Sequence, residues 1–297
     1  MNLYNYIKNL VRFCGYEIHK LGSCTDPNTL SIDRQGSYPR IVKYNIGDIS
    51  FDFWIINESV ENDYNPNAIY NDTEIKEIIN LIKPGERILE VGSNIGFFTL
   101  LLAKLAGNSG YVLGIEPLQK NTLVAHAQIA LNNMSNTCQI KDCAISDKKG
   151  ITYVTRMSHN ASVQITDKRN TIATNAFTGD SFLDSFGPFS AIKIDVEGYE
   201  ASVLRGCKRI LASKPKLLIE LHVPFLHKYN TNVEEIFRLI EIENYEGIMI
   251  FRKNKLKSFT FDPSLIENDV INLLLKPKPT TGIEPATSSL PRTCSTN

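Results

Sequence analysis

Between residues 72 and 276, short apolar runs alternate with segments of helical spacing, and no other feature narrows the fold as much. "RILEVG", "GYVLGIEP", "TCQIKDCAIS", "SAIKIDVEG" and "PKLLIELHV" read as strands. "GFFTLLLAKLAG", "LQKNTLVAHAQIALNN", "YEASVLRGCKRILA" and "NVEEIFRLIEIEN" read as the helices that separate them. "EGIMIFRK" and "INLLLKP" supply the last strands. Strands that alternate with helices build an α/β domain with a doubly wound, mostly parallel sheet. Near-continuous apolar strands fit this, because helices cover both faces of such a sheet. Ligands of these sheets bind at the carboxyl ends of the strands, beside the point where strand order reverses. The residues that end each strand are therefore the ones to read for function.

The first strand runs into "ILEVGSNIGFFTLLLA", where Gly92 and Gly96 flank a tight strand-to-helix turn. Such a turn lets backbone approach a ligand closely. It lacks the GxGxxG of a dinucleotide fold, and Glu90 just before it would repel a pyrophosphate. A carboxylate there suits a cationic ligand, such as one carrying an amino group and a sulfonium. The second strand ends in Glu116, about 26 positions downstream, where an acid can accept both hydroxyls of a ribose. Asp142, near the end of the third, can accept from an exocyclic adenine amine. The fourth strand ends in Asp195-Val196-Glu197 and the fifth in Glu220-Leu221-His222. Alternation along a strand puts Asp195 with Glu197 and Glu220 with His222 on common faces. Acids and a histidine thus converge on one sheet edge from separate parts of the chain.

The flanks differ from this pattern. "MNLYNYIKNLVRFCGYEI" carries a helical apolar stripe broken by Lys8 and Arg12, too short and too charged for a membrane span. It reads as a docking helix, with peripheral membrane contact by residues 1–18 as the alternative. "RIVKYNIGDISFDFWIIN" reads as short strands or a hairpin, and "NESVENDYNPNAIYND" as a loop. Asp72 caps a helix whose apolar face is Ile75, Ile78, Ile79 and Ile82, and Pro84-Gly85 ends it. The expected division is an N-terminal extension over residues 1–70, a catalytic domain over 71–276, and a disordered tail over 277–297, rich in Pro, Ser and Thr. Lys and Arg together number 32, as do Asp and Glu, so the net charge is zero and nothing points to a nucleic-acid partner. Six cysteines form no CxxC pair, so no disulfide framework or zinc site is expected and the chain reads as cytoplasmic.

The blocks "ILEVGSNIGFFTLLLA", "IEP", "AISDKKG", "FLDSF" and "IKIDVEGYEASVLRG…L…PKLLIELH" occur in the order found in one family. Over roughly residues 74–223 the chain resembles the FkbM-type S-adenosylmethionine-dependent methyltransferases. The resemblance implies a class I methyltransferase fold, Rossmann-like, with seven strands and the last antiparallel. It implies S-adenosyl-L-methionine as cofactor and O-methyl transfer to a hydroxyl on a sugar, glycan or other natural product. Glu90 stands where the family often has Asp, and Ser93 where it often has Ala; carboxylate and small size are kept. Residues 1–70 and 224–297 match poorly, which places acceptor choice there.

The cofactor-binding candidates are Glu90, Gly92, Ser93, Asn94, Gly96, Glu116, Asp142 and Asp195. His222, with an ordinary pKa near neutrality, is the first candidate for a general base, and Asp195 the second. Glu197 either orients the acceptor or caps the following helix. Asp195 and a neighbour could share a divalent ion, but no full ligand set is present, so no metal site is expected. A nicotinamide-dependent dehydrogenase would need GxGxxG where this chain has "GSNIG". A non-catalytic cofactor-binding or scaffold protein would have lost the glycine turn or the strand-end acids, and both are kept. The residues are silent on oligomeric state.

Overall fold

The computed structural model describes residues 38–157, 160–163, 171–252 and, with short gaps, 257–279. The expected N-terminal helix and most of the expected tail lie outside the described residues. The described residues open with a hairpin, β1 (Arg40–Ile46) and β2 (Ile49–Ile55), as the alternating β-branched and aromatic residues predict. Two short helices follow, α1 (Glu58–Asp63) and α2 (Pro66–Asn71), where the sequence reading expects a loop. Asn57 and Asn65 explain the difference: each accepts a bond from the backbone of the turn it precedes, at 2.9 Å. In an Asn-rich run the same side chains signal loops and caps alike.

Helix α3 (Thr73–Leu81) has Asp72 as N-cap, its Oδ1 accepting from the Ile75 amide at 3.1 Å. The alternating core then runs β3 (Arg87–Val91), α4 (Phe97–Ala106), β4 (Tyr111–Glu116), α5 (Gln119–Leu131), β5 (Cys138–Asp142) and β6 (Ala144–Ile145). An insertion, β7 (Gly150–Met157), β8 (Asn160–Val163) and β9 (Thr171–Phe177), pairs with β6 as a separate four-stranded sheet in the order β6-β9-β7-β8. The core resumes with α6 (Leu183–Phe186), β10 (Ala191–Ile194), α7 (Glu200–Arg205), α8 (Lys208–Ala212), β11 (Lys216–His222), α9 (Val223–Leu226) and α10 (Val233–Ile240). It closes with β12 (Tyr245–Phe251), β13 (Lys257–Ser258) and β14 (Val270–Pro277).

The main sheet has the order β13-β12-β14-β11-β10-β3-β4-β5. Strands β5, β4, β3, β10 and β11 are mutually parallel, and β14 runs antiparallel to both β11 and β12. Apart from the two-residue β13 at its edge, this is the expected seven-stranded sheet with an antiparallel last strand. The order reverses at β3, which has β4 on one side and β10 on the other. Their carboxyl ends form the switch-point crevice.

Apolar clusters cover both faces, one centred on α4, α5 and the β1–β2 hairpin, the other on α7, α8 and α10. The hairpin is stitched to α5 by two side-chain amides one turn apart. Gln128 accepts from the Trp54 amide at 2.8 Å and donates to the Trp54 carbonyl at 2.9 Å. Asn132 does the same with Asp52, at 2.8 and 2.7 Å. The amides thus stand in for a neighbouring strand and satisfy an edge that would otherwise be open. Among the described residues no helix is long and apolar enough to cross a membrane.

Candidate active site

The carboxyl ends of β3, β4, β10 and β11 face a cavity of about 300 Å³. Its wall includes Gly92, Asn94, Glu116, Asp195, Glu197, Glu220 and His222, gathered from four strand ends. Gly92 is required by the protein's own backbone: at φ +91°, a Cβ there would stand 1.8 Å from the Asp195 carbonyl oxygen. The Asp195 amide donates to the Val91 carbonyl at 2.9 Å, so the two strand ends close on each other at this point. Four of the expected cofactor residues do not line this cavity: Asp142 lies on another one, and Glu90, Ser93 and Gly96 are set back from its wall. Glu90 is buried behind it, accepting from Thr99 Oγ1 at 2.5 Å and sitting in register with Lys193. Ser93 is buried with its hydroxyl 3.4 Å from the Ile115 carbonyl, and Gly96 packs on Ala125 as the left-handed cap of α4.

Glu116 ends β4 as the sequence predicts. Its oxygens accept from the Asn94 and Leu118 amides at 2.9 and 3.0 Å, which fixes the carboxyl at the crevice. Burial raises its pKa to about 7. Asp142 lies on a second cavity, of about 540 Å³, lined also by Leu118, Ile151 and Ile172. The two cavities share Pro117, the residue that follows Glu116.

The histidine end is tightly organised. His222 closes β11 and is 4 % exposed, its ring lying 5° from the plane of Phe225 at 6.0 Å. Nδ1 is 3.0 Å from Oε1 of Glu200, a fully buried carboxylate. A carboxylate only accepts, so Nδ1 carries a proton, and Nε2 is turned to the cavity and its carboxylates. Nε2 lies 3.3 Å from Glu197 and 3.9 Å from Glu220. Burial alone would lower the His222 pKa; the Glu200 bond and charge, with Asp195 and Glu220, outweigh it and raise it to about 9.

Glu197 is not on a strand face with Asp195. β10 ends at Ile194, and Glu197 sits in a turn at φ 54°. It does not cap α7 either: the N-cap is Tyr199, with no side-chain bond, and Glu200 accepts from the Gly198 amide at 3.0 Å instead. The turn throws Glu197 onto the cavity, facing His222.

Asp195 is held below the usual carboxylate range. Burial opposes this, and Lys193, 3.5 Å away, outweighs it, with His222 next. Lys193 is fully buried in β10 with its ammonium 4.3 Å from the Phe98 ring centroid. Arg252, beyond β12, reaches Glu220 at 2.6 Å, and burial with the Asp195 charge raises Glu220 to about 8. Lys193, Glu200, Arg252 and Glu74 were not singled out from the sequence. A lysine inside the apolar strand "AIKID" is the signal that marks Lys193; Glu200 lies within the block "IKIDVEGYEASVLRG", and Arg252 and Glu74 come from segments with no motif.

The profile of the FkbM methyltransferase domain matches residues 90–246, more than half of the chain. The chain belongs to the FkbM-type family of S-adenosylmethionine-dependent methyltransferases. A 23S rRNA (uracil(1939)-C(5))-methyltransferase of Psychrobacter arcticus is 39 % identical over 56 residues, which span 19 % of this chain and 11 % of that protein. Among solved structures, a SAM-dependent methyltransferase from Aquifex aeolicus is similar at 12 % identity and TM-score 0.42, covering 73 % of this chain and 96 % of that one. An O-methyltransferase from Bacillus cereus in complex with SAH is similar at 15 % identity and TM-score 0.40, covering 74 % and 96 %. An rRNA methylase from Streptococcus thermophilus follows at 8 % and 0.41, covering 68 % and 93 %.

Asp195, Glu220 and His222 each offer one ligand atom, all within 4.8 Å of one another, the one such cluster among the described residues. A cation there would compete with Lys193 on Asp195 and Arg252 on Glu220, which already supply positive charge.

Proposed function

We propose that this methyltransferase methylates the oxygen of a hydroxyl on a small acceptor, a sugar, glycan or other natural product, with His222 as general base. The observation that carries this reading is the Glu200–His222 pair. A buried carboxylate fixes the tautomer and leaves Nε2 on a cavity wall beside Asp195. That is the arrangement a proton acceptor needs.

The residues fit the family's cofactor. The cavity wall is acidic, which suits a cation, and Gly92 keeps side-chain bulk away from the turn. Asp195 and the Gly92–Asn94 turn would hold the sulfonium-bearing amino acid, Glu116 the ribose hydroxyls, and Asp142 with Leu118 the base in the adjoining cavity. When bound, S-adenosyl-L-methionine supplies a methyl group already activated by sulfonium charge. What remains for the chain is to align the acceptor oxygen and keep water out, worth on the order of 7–11 kcal/mol at best. His222 takes the hydroxyl proton at Nε2, worth about 10²–10⁴-fold. Its pKa of about 9 makes it reluctant in the free chain; a cation bound beside Asp195 favours the neutral ring. Glu197, 3.3 Å from Nε2, orients the incoming hydroxyl. A neutral net charge and an acid-lined wall disfavour a phosphate backbone as acceptor.

The test is calorimetry with S-adenosylmethionine, then transfer of labelled methyl to a glycan or lipid extract, the product located by mass spectrometry. His222→Ala and Asp195→Ala lose turnover by at least about 10²-fold while cofactor binding stays measurable. Full activity in both variants sinks the assignment of roles. No binding at millimolar cofactor removes the reading altogether.

A further inference from the structure

A third cavity, of about 390 Å³, adjoins the reaction cavity away from Pro117, which is not in its wall. It lies between the start of α3 and the ends of β12 and β14, and its wall includes Asp72, Glu74, Phe251, Arg252, Asp269 and Asn272. Asp72, Glu74 and Arg252 line the reaction cavity as well, so the two adjoin at these side chains. The cofactor reading takes up the cavities on either side of Pro117 and leaves this one unassigned.

Asn272 is the anomaly in its wall. It interrupts the apolar run of β14 between Ile271 and Leu273 and is 4 % exposed. Its Nδ2 donates to Glu74 at 3.1 Å, while its Oδ1 is buried with no partner among the described residues. A buried amide oxygen without a donor is uncommon, and one on a cavity wall points to a donor that arrives from outside. The wall is also unsuited to anions. Three acidic side chains face one guanidinium, which already bonds Glu220 through Nη1 at 2.6 Å. The α3 N-terminus, which would otherwise attract an anion, is closed by the Asp72 carboxylate on the Ile75 amide. Hydroxyl groups suit it well: they donate to Asp72, Asp269 and Asn272 Oδ1, while Phe251 offers an apolar face.

Resting on the O-methylation reading above, we propose that this cavity is the acceptor subsite, admitting uncharged polyhydroxylated rings and turning away anionic ones. The ring sits against Asn272 and Asp269, and its reacting hydroxyl reaches past Glu74 and Arg252 to His222.

Saturation-transfer NMR on the full chain, with S-adenosylhomocysteine present, tests this with methyl α-glucopyranoside, methyl α-mannopyranoside, methyl α-galactopyranoside and the methyl glycoside of glucuronic acid. At least one neutral glycoside is expected to bind, at least tenfold more tightly than the glucuronide. Asn272→Leu and the near-isosteric Asp269→Asn should each weaken it about fivefold or more, with S-adenosylhomocysteine affinity unchanged by calorimetry. Asp269→Lys should narrow the gap to the glucuronide. The proposal is overturned if the cofactor product binds but no neutral glycoside does, if the glucuronide binds equally well, or if both Asn272→Leu and Asp269→Asn bind the neutral ring as wild type does. Failure of S-adenosylhomocysteine to bind wild type would instead fault the cofactor reading, so the two failures are distinguishable.

Discussion

Replacing Glu200 with glutamine removes one buried charge and keeps the shape and the hydrogen bond to His222. Burial would push the histidine below its ordinary 6.5, yet it stands at about 9, with Glu200 the largest contributor raising it. That rise corresponds to a preference for the charged ring on the order of 3 kcal/mol. Without the Glu200 charge, the pKa should fall by at least about one unit. A histidine with a raised folded pKa stabilises the fold fully below pH 6.5 and loses that contribution as pH rises through about 9. The Tm of E200Q should therefore lie furthest below wild type near about pH 6 and converge with it above about pH 9. The rising limb of kcat/KM against pH, which reports the free enzyme's base, should move toward acid by the same amount. The ring titration of His222 followed by NMR gives the value directly. An unmoved titration and an unmoved limb would refute both the Glu200–His222 coupling and the role of the ring as base.

Further tests address the framework. Gly92→Ala places a Cβ 1.8 Å from the Asp195 carbonyl at a positive φ, so the strand ends must part; the expected loss is at least about 2 kcal/mol in urea unfolding, with weaker cofactor binding. Lys193→Met leaves the half-buried Asp195 and the buried Glu90 without their cation, a loss of roughly 3–5 kcal/mol that thermal unfolding would register; wild-type stability would contradict the network. Gln128→Leu strips the Trp54 amide and carbonyl of their partners and should cost about 1–3 kcal/mol, read by denaturant midpoint. Burial raises Glu90 to about 7, above its unfolded value, so its contribution is present below pH 4.5 and fades as pH rises through about 7; E90Q should flatten that part of the Tm profile.

Two levels of information separate cleanly here. Sequence alone determined the alternating core, because strand and helix periods are local and each apolar run must bury a face. It determined which residues end the strands, and hence that Gly92, Glu116, Asp195 and His222 gather at one edge, since parallel strands send all their carboxyl ends the same way. Chain order also carried the family.

Tertiary structure decided the electrostatics. Glu90 looked like a ligand residue because it precedes the glycine turn, yet its side chain turns to Thr99 and the buried Lys193. Glu200, not singled out from the sequence, proved to be the partner of His222, 22 residues away. Glu197 reaches the cavity through a left-handed turn that a two-residue alternation does not foresee. Glu74, Arg252 and Asn272 come from three segments without any motif, and only the antiparallel return of β14 beside β11 sets Asn272 in register with Glu220. Periodicity fixes which face a residue takes within its own element. Which charge it meets there depends on contacts between distant segments, and those form only when the sheet assembles.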